Sequence, residues 1–280
     1  MKINTCFVLK SLLITLVFFC QIANAEQLIY ATWNIRYANA KDFANGDGWG
    51  KRVSKIADII HFYDFDIISV QEPNRNQVVD LANLLPEYDY VLTDSSYFHP
   101  IFFKKDVFRI KDSGTFWYSE SGKPEKGWEA SQIRFCSWVK MLVNGKALYV
   151  FNAHWDHKSW PARVESAKLT VKKVEAIAGK EMAIFSGDMN VEPNKGPYNT
   201  MQRSNVLTDS RMKAKYVYAP NNSFNGFDVD GYGRWQIDYI FVSPNIPVDK
   251  YGILNERYYD EGKWRFPSDH LPVMVKLRMD

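Results

Sequence analysis

Short apolar runs punctuate the chain, and several are followed by stretches whose apolar positions recur with the period of an amphipathic helix. Residues 27–36 (QLIYATWNIR) predict a strand, and Val53, Ile56, Ile59 and Ile60 then form the stripe of a helix. An apolar run at 66–70 (DIISV) and a helix near 74–85 repeat the alternation. Residues 88–93, 101–104 and 108–116 predict consecutive strands. Segments 132–143 and 146–153 flank Asn144-Gly145, a dipeptide that favours a type I′ turn, and predict a hairpin. Pro161 opens a helix whose buried face runs through Val164, Ala167, Val171, Val174 and Ala178, with Gly179 as its stop. Strands follow at 182–186, 237–242 and 272–277, while 216–234, rich in Asn, Gly, Tyr and Asp, predicts a long loop. No linker or shift in composition divides residues 26–280. One α/β (α+β) domain is therefore expected, with two sheets facing each other and helices outside.

The first 25 residues have a different pattern. Lys2 and Lys10 precede an apolar run at 11–19, and Ala23-Asn24-Ala25 offers a small-x-small cleavage site, so 1–25 is read as a signal peptide and the mature chain as starting at Glu26. Only 13 residues lie between Lys10 and Asn24, short of the roughly 20 that a spanning helix needs. The expected destination is the periplasm or the exterior. Removing that segment takes Cys6 and Cys20 with it, and Cys136, alone in an alternating strand, is expected to be a buried inert thiol. The mature protein must then rest on its core, without a disulfide. It is expected to be a monomer with no membrane span.

Composition narrows the classes. A chain of 280 residues with 46% hydrophobic content folds, and 27 Pro plus Gly without a repeat exclude collagen-like chains, solenoids and propellers. Formal charge is +3, or +1 once Lys2 and Lys10 are gone. Binding to nucleic acid by overall charge alone is thus excluded, although a local groove is not.

Chemistry collects at strand ends, where side chains are held rigidly with accessible tips. Asn34 closes YATWN, Glu72 follows IISVQ, and His154 and Asp156 follow LYVFNA; Asp188 and Asn190 follow AIFSG, Asp238 lies within WQIDYIFV, and Asp269-His270 precede LPVMV. Each alone could be a turn residue or a solvated terminus. Asp238 is different, because a carboxylate in so apolar a run needs a partner. Together they suggest a site for a cation or a phosphate. Carboxylate and amide oxygens suit Mg²⁺, with Mn²⁺ or Ca²⁺ as alternatives, better than zinc, and His61 and His99 lie in unpromising contexts. No Walker loop, G-x-S-x-G elbow or H-E-x-x-H is present, which leaves kinase, serine hydrolase and metalloprotease readings without their parts.

TWN at 32–34, QE at 71–72, H-x-D at 154–156, GDMN at 187–190, IDYIFVS at 237–243 and SDH at 268–270, in that order, resemble the endonuclease/exonuclease/phosphatase superfamily, which includes deoxyribonuclease I. The resemblance runs from about residue 28 to 277. It implies a four-layer sandwich of two mixed sheets and Mg²⁺-dependent phosphoester hydrolysis. By motif, Glu72 would be the principal metal ligand with Asn34 and Asp269 beside it. Asp188 would orient or deprotonate the attacking water, and Asn190 would hold that carboxylate and a phosphate oxygen. His270, fixed by Asp238, would contact the phosphate, and His154 would stabilise charge on the equatorial oxygens. Asp156 and Arg134 are assigned to substrate contact, and a helix-surface ion pair is expected for Arg163.

Substrate class is less sharply drawn. Trp155, Trp160 and Trp235 adjoin the motifs and Trp117, Tyr118 and Trp128 lie in a turn-rich stretch, so these rings could stack on a base, sugar or inositol, meet a membrane surface, or pack in the core. The leading expectation is an exported phosphoesterase acting on a small or lipid-linked mono- or diester. A secreted nuclease cutting DNA or RNA comes second, and a non-catalytic binding domain on the same scaffold third.

Overall fold

The computed structural model describes residues 27–279 apart from 95, 97 and 232, so the expected signal peptide lies outside the described residues. In chain order the elements are β1 (Gln27–Asn34), α1 (Ala40–Ala44), α2 (Trp49–Phe62), β2 (Ile67–Gln71), α3 (Arg75–Leu84), β3 (Tyr88–Val91), β4 (Ile101–Lys104) and β5 (Arg109–Trp117). They continue with β6 (Phe135–Val143), β7 (Lys146–His154), α4 (Trp160–Ala178), β8 (Met182–Asp188), α5 (Gly196–Gln202), β9 (Thr208–Asp209) and α6 (Ser210–Lys213). The last are β10 (Tyr216–Tyr218), β11 (Asp238–Val242), β12 (Val248–Ile253), β13 (Tyr258–Asp260), β14 (Lys263–Arg265) and β15 (Val273–Arg278).

One sheet has the order β10-β12-β15-β1-β2-β4-β3 and the other β5-β6-β7-β8-β11-β9, with β13 and β14 as a separate hairpin. Both are mixed: β1 runs parallel to β2 and antiparallel to β15, and β7 runs parallel to β8 while β8 opposes β11. Three apolar clusters explain why the layers stay together. Ile67, Val139, Val150, Ile184, Ile240 and Val275 fill the space between the sheets. Trp155, Ala167, Val174 and Phe185 pack α4 on the outside of the six-stranded sheet, and Trp33, Ile56, Ile60, Val78 and Leu81 pack α2 and α3 on the other. The result is the four-layer sandwich, with α4 capped by Ser159 and stopped at Gly179.

Toward the end where the motif residues gather, the filling between the sheets turns polar. Tyr30 Oη meets Ser69 Oγ at 2.6 Å and Ser186 Oγ at 2.5 Å, and Gln71 Nε2 donates to Asn152 Oδ1 at 2.7 Å. Asn152 Nδ2 donates in turn to the Val70 and Pro100 carbonyls. Buried polar groups with partners fix one arrangement of the two sheets, whereas apolar contact alone tolerates sliding.

The β6–β7 hairpin forms with Asn144 at φ 51 and Gly145 at φ 77, as the I′ turn demands. The expected loop at 216–234 is only partly a loop. It begins with β10, an edge strand on β12, and bridges Phe224 to Trp235 and to His270. Cys136 is a buried free thiol. Among the described residues no helix is long and apolar enough to cross a membrane.

Candidate active site

Three strands of the six-stranded sheet place three chemical groups on one rung. His154 of β7 is the register partner of Asp188 of β8, and Asp188 is the partner of Asp238 of β11. Partners on a rung share a face, so all three side chains leave the sheet together. The other sheet supplies Asn34 from β1 and Glu72 just beyond β2. Asp269 and His270 come from the segment entering β15, pinned by Trp33 Nε1 donating to the His270 carbonyl at 2.9 Å and Ser268 Oγ donating to the Asn34 carbonyl at 2.7 Å.

The side chains converge. His154 Nδ1 stands 4.0 Å from Glu72 Oε1 and its Nε2 3.3 Å from Asp188 Oδ2, while His270 Nε2 lies 3.7 Å from the same Asp188 oxygen. His270 Nδ1 donates to Asp238 Oδ2 at 2.8 Å. Ser223 Oγ donates to that Asp238 oxygen at 2.6 Å, so the buried carboxylate has the partner its sequence context required. Burial opposes the charged form of His270, but the Asp238 charge and hydrogen bond carry it up to about 10, which makes it an imidazolium at neutral pH. His154 is the reverse: burial first, then the charge of Arg134, hold it well below the ordinary histidine value. It is neutral, with Nε2 receiving the Asn190 amide at 3.1 Å.

Asp188 is pushed up to about 7, by burial first and by the Asp238 charge next, against the pull of His270. Asn190 N and Asn34 Nδ2 both donate to its carboxylate. Asp269 is pushed up to about 6 by burial, with His270 opposing and Glu72 adding to the rise. The backbone is bent to achieve this aim. Glu72 has φ 66, Asn190 φ 49 and Arg36 φ 58, all left-handed and unfavourable for residues with a side chain.

Of the ten expected site residues, Glu72, Arg134, His154, Asp188, Asn190, Asp269 and His270 line one cleft, Asp238 and Asn34 stand behind it bonded to His270 and Asp188, and Asp156 does not reach it. Asn34 is fully buried; its Oδ1 accepts Arg36 N–H at 3.0 Å and its amide donates to Asp188, so it braces that carboxylate from behind and does not itself line the cleft, whereas Glu72 and Asp269 do. Asp156 is turned away from the cleft. Its Oδ2 accepts Ser131 N, Ser131 Oγ and Gln132 N, and its Oδ1 accepts Lys158 N and Ser159 N. It ties the segment before β6 to the start of α4. Those donors hold its carboxyl down to about 2, although burial alone would raise it.

Asp156→Asn is accordingly expected to cost about 3 kcal/mol near pH 7, the scale for stripping charge from a buried, multiply bonded group. The unfolded carboxyl titrates near 3.8. Its stabilisation is complete above that pH and is lost as pH falls through about 2, so urea denaturation should show the wild-type advantage shrinking between pH 4 and 2.

The cleft, about 1000 Å³, includes groups that the sequence did not single out. Arg36 bonds Asp42 at 2.9 Å and approaches Asp269 at 3.7 Å. His99, expected to be uninvolved, lines the cleft stacked on Phe135, and His157 lies beside Arg134. Trp235 is half exposed and stacks on Phe224 at 5.5 Å, and Phe224 meets His270 edge-on. Trp155 and Tyr118 belong to the core, and Arg163 bonds the Asp156 carbonyl and covers Trp160 rather than forming an ion pair.

The family model for the endonuclease/exonuclease/phosphatase family matches residues 31–270. The chain belongs to this family. As a member it is a metal-dependent hydrolase of phosphoester bonds. Among solved structures, a family protein from Bacteroides thetaiotaomicron is 39% identical, covering 91% of this chain and 98% of its own with a TM-score of 0.87. A mannosyl-6-phosphatase from Bacteroides thetaiotaomicron VPI-5482 is 40% identical over 89% of this chain and 99% of its own, with a TM-score of 0.85. TDP2 from D. rerio, complexed with single strand DNA product, shares the fold at 17% identity, 90% and 99% coverage and a TM-score of 0.72. No curated protein matches the chain.

The cleft holds donor groups of the kind the family's metal needs. Asp188, Asp238 and His270 bring ligand-type atoms within 4.8 Å of one another, but Asp238 Oδ2 and His270 Nδ1 are already bonded to each other at 2.8 Å. Glu72 and Asp269 fit better. Among the described residues Glu72 receives one long bond, from Tyr37 N at 3.4 Å; Asp269 receives one from Ser268 Oγ at 3.4 Å and has Arg36 at 3.7 Å, and their two charges repel across the cleft. Converging carboxylates with so few donors suit a hard divalent cation.

Proposed function

We propose that the chain is an exported, Mg²⁺-dependent phosphoesterase that hydrolyses a small phosphate ester of the sugar-phosphate kind. What supports this reading is the division of one cleft into an acidic pole at Glu72 and Asp269 and a cationic wall at His270 and Arg134, with Asp188 between them. The 40% identical mannosyl-6-phosphatase favours a sugar phosphate, and the half-exposed Trp235 offers a flat face for a sugar ring.

Mg²⁺, when held by Glu72 and Asp269, supplies charge neutralisation at a phosphoryl oxygen. The chain's own groups do the rest. Asp188, braced by Asn34 and Asn190, aligns a water for in-line attack and accepts its proton. His270 donates from Nε2 to the phosphoryl group as charge spreads over it, and Asp238 keeps the imidazolium in place. His154, neutral, stands between Glu72 and Asp188 and is held by the Asn190 amide.

Chelation should abolish turnover and Mg²⁺ restore it. The test is a panel with and without Mg²⁺: mannose 6-phosphate and other sugar phosphates, phosphoinositides, sphingomyelin, a chromogenic diester, RNA and plasmid DNA. Sugar phosphates should turn over fastest; plasmid cleavage far above the others would replace this reading with a nuclease. Export is checked by N-terminal sequencing of the secreted product, expected to start at Glu26.

A further inference from the structure

Arg52 of α2 is fully buried, and its hydrogen bonds go to backbone carbonyls. Nε donates to Asp47 O at 2.8 Å, Nη1 to Ile35 O and Pro267 O at 2.8 Å each, and Nη2 to Arg36 O at 3.1 Å. That uses most of the donors of a guanidinium, whose planar fork no other side chain reproduces. The group also lies over the rings of Trp49 and Phe227, at 5.4 and 5.7 Å. A charge buried against neutral carbonyls is costly, and an apolar side chain of similar volume would avoid the penalty.

The carbonyls it gathers belong to the edge of the cleft. Ile35 and Arg36 follow Asn34, and Pro267 stands two residues before Asp269. Gln77 of α3, also fully buried, extends the link: its Nε2 donates to the same Arg36 carbonyl at 3.0 Å, and its Oε1 accepts Ala38 N at 2.8 Å and Asn74 N at 3.1 Å. Asn74 is two residues beyond Glu72. Arg52 and Gln77 thus tie together the backbone beside Asn34, Glu72 and Asp269. Within it Arg36, at φ 58, and Glu72, at φ 66, hold left-handed conformations that persist only where the surroundings over-determine them. Glu72 and Asp269 repel each other as well, so without these ties the acidic pole would spread.

We infer that Arg52, joined to Gln77 at the Arg36 carbonyl, is a positioning residue that holds Glu72 and Asp269 at the spacing a divalent cation needs. The inference rests on the Mg²⁺-dependent reading above. Its sign is diagnostic. Arg52 is a positive charge that acts on Asp269, so as a charge alone it opposes a cation, and removing it would tighten metal binding. As a clamp it does the opposite, and its loss should weaken binding by the roughly 10–100-fold seen when the partners that orient metal ligands are removed.

The test titrates metal-stripped wild type, Arg52→Met and Arg52→Lys with Mn²⁺, following the free ion by electron paramagnetic resonance, and measures the rise in melting temperature on adding Mg²⁺. Arg52→Met should bind Mn²⁺ about 10–100-fold more weakly and show a smaller Mg²⁺-induced rise. A merely structural Arg52 would lower the melting temperature of the stripped and loaded protein alike and leave the affinity as it was. Unchanged or tighter Mn²⁺ binding in folded Arg52→Met overturns the inference. Should that variant fail to fold, Arg52→Lys decides: it keeps the charge without the planar fork and should bind at least ~3-fold more weakly, and wild-type affinity there overturns the clamp. Wild type that binds no divalent ion overturns the metal-dependent reading itself, whereas wild type that binds Mn²⁺ beside an indifferent Arg52 variant overturns the Arg52 role alone.

Discussion

Asp188→Asn lowers kcat by about 10²–10⁴, the range for losing a general base, with the fold intact. The substitution keeps the shape of the side chain, and the strand around it is fully buried. In the proposed mechanism, what disappears is the capacity to accept the proton of the attacking water. The carboxylate is well suited to that task because burial and Asp238 raise it to about 7, near the range where a base is both ionised and willing. His270→Ala should cost a similar factor by removing the donor that Asp238 holds charged. The two groups touch at 3.7 Å and act on one event, so the double variant should lose far less than the product of the single losses. Steady-state rates of purified variants with Mg²⁺ decide the point. More than a third of wild-type activity in either single variant would remove these residues from the mechanism.

The largest effect on stability is expected at Gly187, whose substitution by Ala should cost 4 kcal/mol or more. Gly187 sits in β8 at φ 139, opposite Ala153 of the parallel strand β7. A Cβ there would stand 1.8 Å from the Ala153 carbonyl oxygen, and that oxygen is backbone and cannot swing aside. Strands β7 and β8 would have to separate in the middle of the sheet. For a domain of this size the loss corresponds to a melting temperature lower by roughly 10 °C or more. A drop under about 3 °C would mean that the strands yield more readily than their packing suggests. Activity should fall as well, because the same displacement moves Asp188 away from His154.

Much of the fold and of the cleft is legible in the residue pattern, for specific reasons. β2, β4 and the β6–β7 hairpin were legible because apolar runs ended by turn residues leave few alternatives. Glu72, Asp188, Asp238 and His270 stood out as polar groups closing or interrupting those runs. His99 did not, since a histidine before Pro100 has no periodic neighbour to mark its role and acquires one only by stacking on Phe135. Arg36 follows Asn34 closely, but its left-handed backbone, which turns it back toward Asp269, leaves no trace in residue type. Asp156 misled because an H-x-D spacing cannot say whether the second side chain faces substrate or closes a loop on itself. Ser223 lay in a stretch read as loop, yet its hydroxyl holds Asp238 and accepts the Ile237 and Asp238 amides.

His154, Asp188 and Asp238 sit side by side across three strands, and side-chain direction alternates with every residue along each of them. A single-residue insertion within β7, β8 or β11 would rotate that strand's contribution to the opposite surface of the sheet and dismantle the constellation even if every hydrogen bond of the ladder re-formed. Relatives of this chain should therefore vary freely in the lengths of their connections, but between the strand midpoints and these three positions they should differ only by even numbers of residues.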